Sequence, residues 1–579
     1  MRHRILRAVG RYGSDVAVEI LDRLGIRYAS LNPGASLRGL HDSLTRASGP
    51  ELVLTTYEGV AVAIAHGYAK AAGEPMAVLL HDLVGLQNGS LGIFNAWADQ
   101  VPMLVLGGSG PADAARRRPW IDWIHATRSQ GLVVRDYVKW DDEPASVQAM
   151  VSSLVRAHRL ATATPNGPTY VALDALLQEE PAPDVPFEHL LAPRVNPITA
   201  PMPDLEQLAD IIMGAERPVI LADFVGRSSA GYEALITLAE ALAAPVVDLG
   251  SRHNFPSNHW ADGTEHQREL LQTTDLVVAL DVRDLRWAIS EIDIETHGSH
   301  DLVPGGTPVV GMSLTELMHR GFNDRESVVG ADLMLLADTS VALPVLASLV
   351  ADRAGDRRAK RDELEHRLLA ARPGPVLPVA GAGSEEGRVT RARLAAELGG
   401  VVLGGPWQLA HGTLGGWARR AWPFTSWNCY LGSSGGGGLG YGVGATLGAA
   451  LAHRDDDTLV LDLQPDGDLL YTASGLWTAA HHRLPALFVV VNNRTYGKDR
   501  LHQQTIARLR GRPELEPSPG IDLDDPPVDF AALASSQGVE GIGPIVDAGE
   551  LPKALARAVA ATRDERRPML VDVVVERGS

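Results

Sequence analysis

The stretch that decides the fold is residues 458–495, TLVLDLQPDGDLLYTASGLWTAAHHRLPALFVVVNNRT. It starts with an apolar run, residues 458–463, which predicts a buried strand. Gly467 then opens a segment whose apolar spacing predicts an amphipathic helix from about residue 470 to residue 482. A second apolar run, residues 486–491, predicts the next strand. The order strand, helix, strand predicts a parallel βαβ unit.

Polar residues stand at both strand ends of this unit, with Asp466 after the first strand and Asn493 after the second. Because the carboxyl ends of parallel strands meet at one edge of a sheet, we expect the two side chains to lie close together. A carboxylate oxygen, an amide oxygen and a nearby backbone carbonyl form an all-oxygen ligand set that suits Mg²⁺. The helix N-terminus behind Gly467 offers free N–H groups to phosphate oxygens. An ordinary crossover with a turn at each strand end is the alternative interpretation.

The composition limits the classes of protein to which the chain can belong. Its 579 residues, of which 45% are hydrophobic, are enough for about three or four domains with sizeable cores. The formal charge of −19 argues against nucleic acid as a partner, and no apolar run reaches the roughly 18 residues of a membrane span. Cys429 is the only cysteine, which excludes an intrachain disulfide and a cysteine metal site. Residues 1–4 show no secretory signal, so we expect a cytoplasmic protein without a membrane partner.

The first 180 or so residues alternate helix-like and strand-like segments, which predicts a parallel, doubly wound sheet. Three predicted strand ends carry polar residues, namely the turn Asn32-Pro33-Gly34, the acid Glu58 and His81. Function is expected at such strand ends. By themselves, Glu58 is as readily a helix N-terminal acid and His81 an ordinary histidine at the rim.

The pattern Asp466-Gly467 followed by Asn492-Asn493 resembles the metal and diphosphate motif of thiamine diphosphate (ThDP) enzymes, although Pro465 replaces the first glycine of that motif. Further matching motifs follow in order, namely Asn32-Pro33-Gly34, Tyr57-Glu58-Gly59, Ala65-His66-Gly67-Tyr68-Ala69, Leu80-His81 with Gly85 and Asn88, Asn95-Ala96-Trp97 and Val138-Lys139-Trp140. Together they make the chain similar to the acetolactate synthase and benzoylformate decarboxylase superfamily. The resemblance spans most of the chain and is much less specific for the substrate.

The resemblance implies a role for each motif. Mg²⁺ would be bound by the side chains of Asp466 and Asn493 and by the carbonyl oxygen of Thr495. The carboxyl group of Glu58 would share a proton with the aminopyrimidine ring, and His81 would contact the substrate carboxylate or transfer protons. In the glycine-rich run, the Gly437 carbonyl would accept from the 4′-amino group, and Leu439 would separate the two cofactor rings. The full set of implied cofactor-binding residues is Asn32, Pro33, Gly34, Gln408, Gly437, Leu439, Gly467 and Asp468.

The resemblance also implies three doubly wound parallel-sheet α/β domains. These are a pyrimidine-binding domain at residues 1–180, a middle domain at 205–370 and a diphosphate-binding domain at 388–579. Residues 178–205, rich in proline, and residues 371–387, rich in Pro, Gly and Ala, are predicted linkers.

Some members of the superfamily bind FAD or the ADP part of CoA in the middle domain. Arg283 and Trp287 are candidates for such a contact, although residues that simply end a strand are the competing interpretation. The middle part of the chain has no well-formed glycine-rich phosphate loop, so a second cofactor has no further support.

By resemblance, the chain is a ThDP- and Mg²⁺-dependent decarboxylase or carboligase that acts on a 2-oxo acid through a C2 ylide and an enamine. Ala35 stands where benzoylformate decarboxylases have a serine, with Ser36 one place on, which argues against benzoylformate itself. The alternatives are an acetolactate synthase-like enzyme, a 2-hydroxyacyl-CoA lyase or oxalyl-CoA decarboxylase-like enzyme, and a non-catalytic ThDP-binding homologue. Because the cofactor of this superfamily lies between two chains, a homodimer is the implied minimum and a homotetramer is expected.

Two further segments have an open role. Residues 116–125, RRRPWIDWIH, follow a strand end of the first domain and are candidates to reach the active site. Residues 498–517 carry four arginines and directly follow the asparagine pair. They are either a cover over the cofactor or a solvated helix.

Overall fold

The computed structural model describes residues 10–191, 195–293, 296, 298–318, 330–371 and 387–577. Three parallel sheets follow one another along the chain, which confirms the predicted α/β class with three doubly wound units. The chain start at residues 1–4 and most of the predicted linker at 371–387 lie outside the described residues. Within the described ranges, none of the helices combines the length and apolar character that a bilayer span requires.

The first sheet is built from short apolar runs. Its strands are β1 (Tyr28–Leu31), β2 (Glu51–Leu54), β3 (Met76–Leu80), β4 (Met103–Ser109), β5 (Asp141–Asp142) and β6 (Pro168–Asp174). They pair in the order β2-β1-β3-β4-β6-β5, with every pair parallel. The helices are α1 (Gly13–Arg23), α2 (Arg38–Arg46), α3 (Glu58–Ala72), α4 (Asp82–Ala98), α5 (Ile121–Ile124), α6 (Val147–Thr162) and α7 (Ala175–Glu179). All five residues of β3 are buried, as expected of a strand covered by helices on both faces.

The middle sheet has five parallel strands and a separate antiparallel hairpin. The strands are β7 (Pro218–Ala222), β8 (Val246–Asp248), β9 (Leu276–Leu280), β10 (Ser290–Asp293), β11 (Gly298–Asp301), β12 (Val309–Met312) and β13 (Leu333–Leu335). The sheet order is β13-β12-β9-β7-β8, and β10 pairs with β11. The helices are α8 (Met202–Gly214), α9 (Ser229–Leu242), α10 (Gln267–Thr273), α11 (Leu285–Ala288), α12 (Thr339–Arg353) and α13 (Arg358–Ala371).

The third sheet contains the stretch that decides the fold. Its strands are β14 (Trp407–His411), β15 (Leu459–Pro465), β16 (Ala486–Asn492), β17 (Glu540–Ile545) and β18 (Met569–Val574), in the order β14-β15-β16-β18-β17. The helices are α14 (Arg391–Val402), α15 (Trp417–Ala421), α16 (Gly442–Ala452), α17 (Asp466–Thr472), α18 (Gly475–His482), α19 (Gly497–Leu509), α20 (Phe530–Ser536) and α21 (Leu551–Arg563). The parallel pairing of β15 with β16 confirms the predicted βαβ unit.

The single helix predicted between these strands is wrong in detail. The segment forms two short helices, α17 and α18, and the first begins at Asp466 rather than near residue 470. The break falls at Ala473 and Ser474, directly before Gly475. Serine and glycine are poor helix-interior residues. A Cβ at Gly475 would lie 2.7 Å from the Val443 side chain, so packing against α16 also requires a glycine there.

The first and third domains pack closely because glycines face each other across two helices. Helix α3 is buried from Val60 to Ala69, and it lies against α16. A Cβ at Gly448 would lie 2.0 Å from the Ile64 carbonyl oxygen, and one at Gly67 would lie 2.0 Å from the Ala445 carbonyl oxygen. Larger side chains would therefore separate the helices.

A buried ionic cluster connects all three domains. The Asp99 carboxylate, fully buried, accepts from His66 Nε2 at 2.7 Å, Lys70 Nζ at 2.7 Å and Arg252 Nη1 at 2.5 Å. Arg252 belongs to the middle domain, and Lys70 also donates to the Ser433 carbonyl of the third domain at 2.7 Å. Burial lowers the pKa of Lys70 to about 7 and that of His66 to about 4. Removal of the carboxylate would leave two buried cations without their common partner, which is costly.

Candidate active site

The carboxyl edge of the third sheet brings Asp466 and Asn493 to adjacent strand ends, as the parallel pairing requires. The Asp466 carboxylate is buried, and it accepts from the backbone N–H of Gly467 at 2.9 Å and of Arg494 at 2.6 Å. The Asn493 side-chain oxygen accepts from the Thr495 N–H at 3.1 Å. Burial raises the pKa of Asp466, although the backbone donors oppose this effect. These oxygens have further lone pairs, so the cluster is a hard donor set of the kind that Mg²⁺ prefers.

A cavity of about 700 Å³ opens beside this cluster. The residues that line it include His411, Leu439, Asp466, Gly467, Asp468, Asn493, Thr495 and Tyr496. Basic side chains also reach it, namely those of Arg391, Lys498, Arg500 and Arg577. Gly467 is required by the packing, because a Cβ there would lie 2.5 Å from the Tyr496 ring. The cavity thus joins oxygen ligands, a helix N-terminus and cationic groups, which suits a metal-bound diphosphate.

The first turns of α19, which belong to the segment 498–517, lie on this cavity. Lys498, Asp499, Arg500 and Leu501 line it, so the segment reaches the predicted cofactor region. The Arg500 guanidinium donates hydrogen bonds to the carboxylates of Asp522, at 2.9 Å, and Glu516. The helix therefore covers one side of the cavity, and its first arginine holds the segment in place.

The glycine-rich loop before α16 is fixed by other residues. Asn95 of the first domain exchanges hydrogen bonds with the Gly438 backbone, at 3.1 Å as acceptor and 3.3 Å as donor. Asp468 accepts from the Gly440 N–H at 2.6 Å, so its carboxylate holds the loop. Gly437 has a positive φ of 68° and open space at its Cβ position, and Leu439 lines the cavity. The loop is thus a rigid backbone platform with one exposed leucine.

In the first domain, Glu58 is held at both carboxylate oxygens. It is the first residue of α3 and is 6% exposed. Asn32 Nδ2 donates to Oε1 at 3.0 Å, and Asn88 Nδ2 donates to Oε2 at 3.1 Å. Gly85 lies beside this side chain, and a Cβ there would be in ordinary van der Waals contact with Oε1, at 3.4 Å. Two amide donors therefore orient a buried acid at a strand end, where a proton-sharing group would be needed.

His81 lies next to the turn at the end of β1. A Cβ at Gly34 would lie 2.2 Å from His81 Cγ, so only glycine permits this approach, while Pro33 is exposed. The Ser36 hydroxyl is 2.8 Å from His81 Nδ1 and is buried. Ser36 therefore contacts the histidine even though it stands one place after the position expected for a serine. Burial is the main cause that lowers the pKa of His81, and the neighbouring His125 adds to it.

A second histidine meets His81 from the segment 116–125. His125 Nδ1 lies 3.3 Å from His81 Nε2, and the two rings meet edge to face with centroids 5.3 Å apart. Asp82, the next residue after His81, is 2% exposed with a positive φ of 43°, and burial raises its pKa to about 6. The segment 116–125 therefore contacts His81, which the resemblance makes a candidate catalytic residue.

The structure does not bring every expected residue to one place. Gln408 donates to the Asn428 carbonyl at 3.0 Å and faces His453 at 3.2 Å, near the start of β14, and it does not line the cavity. The end of β14 instead brings His411 to the cavity. The residues that line this cavity all lie between Arg391 and Arg577, so in the described part of one chain Glu58 and His81 do not line it.

The two middle-domain candidates for a second cofactor have other roles. Arg283 donates from Nη1 to the carbonyl oxygens of Ala98, at 2.9 Å, and Gly435, at 3.0 Å, and so joins the first and third domains. Trp287 is 52% exposed. Its backbone N–H donates to the Asp284 side chain, which caps the start of α11. These contacts favour the structural interpretation of both residues.

Sequence reasoning did not assign Asn88, His125 and His411 to specific contacts. Asn88 was visible in a motif, but its partner, Glu58, is 30 positions away. His125 lies in a segment with no periodicity, and only its position after a strand end pointed to the site. The sequence does not show which residue of β14 reaches the edge of the sheet, so His411 could not be assigned. The pairing of β14 with β15 is irregular between Leu409 and His411.

Comparisons with known proteins agree with this geometry. Residues 410–573 match the family model described as "Thiamine pyrophosphate enzyme, C-terminal TPP binding domain". Residues 11–130 match the model of the N-terminal TPP binding domain of the same enzymes, where thiamine pyrophosphate is another name for ThDP. The chain belongs to the thiamine diphosphate enzyme family.

Among curated relatives of this ThDP enzyme, benzoylformate decarboxylase of Pseudomonas aeruginosa is 28% identical over 96% of this chain and 97% of the relative. Acetolactate synthase isozyme 3 large subunit of Escherichia coli is 25% identical, over 97% of this chain and 95% of the relative. Among solved structures, the ThDP-dependent 4-hydroxybenzoylformate decarboxylase of Rhodococcus jostii has a TM-score of 0.80 at 22% identity, with 98% of this chain and 100% of that chain covered. This last likeness establishes the fold of the ThDP enzyme.

The residues present fit the ThDP and Mg²⁺ that the family implies. Asp466 and Asn493 supply oxygen ligands, and the buried Thr495 hydroxyl has no hydrogen-bond partner within the described residues. Gly437 leaves open space beside the loop, and the cavity is large enough for a diphosphate with its metal. The cofactor and metal are therefore consistent with this donor set.

Proposed function

We propose that this ThDP enzyme is a Mg²⁺-dependent decarboxylase or carboligase that acts on a 2-oxo acid. The observation that carries the proposal is the buried Glu58 carboxylate, held by Asn32 and Asn88 beside His81. The two amide donors satisfy and orient the buried carboxylate, as any buried acid requires. The position of this acid at a strand end, near His81, is what favours a proton-sharing acid at a cofactor ring.

In the proposed arrangement, Asp466, Asn493 and the Thr495 carbonyl hold Mg²⁺ and the diphosphate. Gly467 supplies a helix N-terminus to the phosphate oxygens, and Asp468 fixes the loop that carries Gly437 and Leu439. Bound ThDP would supply a carbanion centre and an electron sink for decarboxylation. The protein's own contribution is to orient the cofactor, to exclude water and to hold protons at defined atoms.

Glu58 would hold the proton shared with the aminopyrimidine ring. Its two amide partners keep the carboxylate in one orientation, so no reorganisation is needed when the proton moves. His81 would act near the substrate carboxylate, and the Gly34 turn would hold its ring in place. The Ser36 hydroxyl is engaged by His81, so it is not free to bind an aromatic substrate's carboxylate in the way expected of a benzoylformate decarboxylase serine.

We further propose that the active site forms between two copies of the chain. Within one chain, Glu58 and His81 lie outside the cavity beside Asp466 and Asn493. A homodimer that pairs the first domain of one copy with the third domain of the other would complete two sites, and a homotetramer would be two such dimers. Analytical ultracentrifugation tests the assembly, since a catalytically competent monomer would contradict it.

An acetolactate synthase-like carboligase is the second candidate. Its support is the set of acetolactate synthase relatives, which cover most of this chain. The same residues would be used, and the difference is whether the second reactant is a proton or another carbonyl compound.

The test is turnover of a panel of 2-oxo acids, with and without added aldehydes, by protein loaded with ThDP and Mg²⁺. Mass spectrometry would also follow 2-hydroxyacyl-CoA and oxalyl-CoA in the same experiment. Loss of CO₂ with release of an aldehyde from one acid would support the decarboxylase. Formation of a coupled product would support the carboligase, whereas turnover of acyl-CoA alone would reject both in favour of a lyase.

A further inference from the structure

The glycine-rich loop before α16 contains four consecutive glycines, residues 435–438. Glycine loses more conformational freedom on folding than any other residue, so a run of four has little stiffness of its own. The shape of this loop must therefore come from groups outside it. Those groups belong to the first and middle domains as well as to the third.

Three of the four glycines press on helix α4 of the first domain. A Cβ at Gly435, Gly436 or Gly438 would lie only 2.5–2.6 Å from an atom of this helix or of the residue that follows it. Gly437, in contrast, has no described atom within 4 Å of its Cβ position. The loop therefore lies flat on α4, and only residue 437 is turned away from it. The contacted residues are, in the order of the three glycines, Asp99, Phe94 and Leu91.

The Arg283 guanidinium of the middle domain fixes the first of these glycines. Its Nη1 donates to the Gly435 carbonyl at 3.0 Å and to the Ala98 carbonyl, at the C-terminal end of α4, at 2.9 Å. A cation at a helix C-terminus also interacts favourably with the helix dipole. The arginine is held in turn, because its backbone N–H donates to Asp223 Oδ2 at 3.2 Å and its guanidinium lies over the Phe224 ring. One guanidinium thus ties the loop to the helix on which its glycines press.

A second cation acts just before the glycine run. Lys70 Nζ donates to the Ser433 carbonyl and to the Asp99 carboxylate, each at 2.7 Å. Asp99 is also the residue against which Gly435 packs. The buried ionic cluster therefore lies directly beneath the start of the loop. If Arg283 were removed, Lys70 would still hold the preceding carbonyl, so we expect a local change rather than loss of the whole loop.

The anchors on either side of Gly437 leave its backbone little freedom. Asn95 fixes the next glycine, Gly438, through hydrogen bonds at 3.1 Å and 3.3 Å. Only two residues separate this anchor from Gly435, which Arg283 holds. The direction of the Gly437 carbonyl therefore depends on an arginine of the middle domain at one end and on an asparagine of the first domain at the other.

We propose that Arg283 is a positioning residue for the cofactor, which places the Gly437 carbonyl where the amino group of the aminopyrimidine ring binds. This inference rests on the proposed function, because it concerns the ThDP site of that proposal. Arg283 acts through the loop rather than on the reacting atoms. The middle domain thereby takes part in cofactor binding through one side chain.

A purely structural tie between domains is the competing interpretation of Arg283. The two interpretations differ in the part of the cofactor that they affect. In the proposed function the loop serves the ring end of ThDP, whereas Asp466 and Asn493 serve the diphosphate end. Loss of a structural tie would loosen the domains and weaken binding of both ends alike. Loss of a positioning residue would weaken only the binding that involves the ring.

The test is calorimetry on the cofactor-free protein with two probes, Mg²⁺ with ThDP and Mg²⁺ with inorganic pyrophosphate. Arg283→Met removes the guanidinium and keeps a flexible apolar side chain. We expect it to weaken ThDP binding at least about tenfold, as the loss of a hydrogen bond from a charged donor implies, and to leave pyrophosphate binding within about twofold. Arg286→Met is the matched control, because Arg286 lies on α11 of the same domain and pairs with Asp301 at 2.6 Å. It should leave both affinities unchanged.

Either of two results would overturn the inference. One is a ThDP affinity in Arg283→Met equal to that of the wild type, and the other is an equal loss of affinity for both probes. Should Arg283→Met fail to fold, Arg283→Lys decides by the same criteria. Lysine keeps the cation but offers a single ammonium group to the two carbonyls.

The proposed function and this inference fail in different ways. A wild type that does not bind ThDP would overturn both. A wild type that binds ThDP but turns over no 2-oxo acid would reject the proposed activity alone, because the calorimetry still decides the role of Arg283.

Discussion

Replacement of Glu58 by glutamine is the sharpest perturbation of the first-domain site. The carboxylate accepts one hydrogen bond at each oxygen, from Asn32 at 3.0 Å and from Asn88 at 3.1 Å. Glutamine keeps the shape but replaces one oxygen with an NH₂ group. The NH₂ group of one asparagine, Asn32 or Asn88, then faces the NH₂ group of the glutamine, and the hydrogen bond is kept only if that asparagine amide rotates to present its oxygen. The folded state should lose one hydrogen bond, which is about 1–2 kcal/mol.

The effect on catalysis should be much larger than the effect on folding. Glutamine cannot accept and return the proton of the aminopyrimidine ring, so the variant loses general acid–base catalysis at this position. Such catalysis is worth about 10²–10⁴ in rate, or roughly 3–5 kcal/mol of activation free energy. A protein of ordinary stability tolerates the loss of about 1–2 kcal/mol and remains folded.

The assay is exchange of the cofactor C2 hydrogen for deuterium, followed by acid quench and NMR. We expect exchange in Glu58→Gln to be at least about 100-fold slower than in the wild type, with a thermal midpoint only a few degrees lower. Glu74→Gln is the matched control, because Glu74 is an exposed acid just after the same helix. Exchange within about threefold of the wild type would refute the role of Glu58 as the proton-sharing acid.

Three further predictions test the metal, the packing and the pH dependence. Asp466→Asn should weaken Mg²⁺-dependent ThDP binding at least about tenfold in calorimetry, since a charged ligand is lost, and unchanged affinity would remove Asp466 from the metal site. Gly448→Leu should lower stability by about 1–3 kcal/mol because its Cβ would lie 2.0 Å from the Ile64 carbonyl oxygen, whereas Gly400→Ala, at an open helix position, should cause no loss in thermal melts. The folded state raises the pKa of Asp82 from 3.8 to about 6, so it retains a proton that the unfolded state releases between those values, and stability falls as pH rises through this window. Asp82→Asn should therefore be more stable than the wild type above about pH 6, by on the order of 3 kcal/mol, and a lower melting temperature than the wild type near pH 8 would contradict this sign.

The strands of the three sheets could be predicted because apolar runs report burial locally. The apolar runs at Met76–Leu80, Leu276–Leu280 and Val309–Met312, for example, form fully buried strands. The pattern does not show the break between α17 and α18, because the apolar spacing continues across Ser474 and Gly475. The close approach of α16 at Gly475, which is a tertiary contact, decided that detail.

The adjacency of Asp466 and Asn493 also followed from the sequence. It needs only that two neighbouring strands are parallel, and the βαβ pattern implies this topology. The position of Gln408 was not accessible in this way, because it depends on where along β14 the chain reaches the sheet edge. Gln408 and His411 are only three residues apart on β14. Gln408 donates to the Asn428 carbonyl, whereas His411 lines the cavity.

The sequence by itself therefore determined the α/β class, the strand ends and the residue types that meet there. The tertiary structure decided which side chains touch across domains and loops, such as His125 with His81, which are 44 positions apart, and Gly448 with Ile64. The physical reason is that periodicity and strand-end position express local backbone geometry and burial. A contact between distant loops depends on the angles at which whole elements pack, and no local pattern records them.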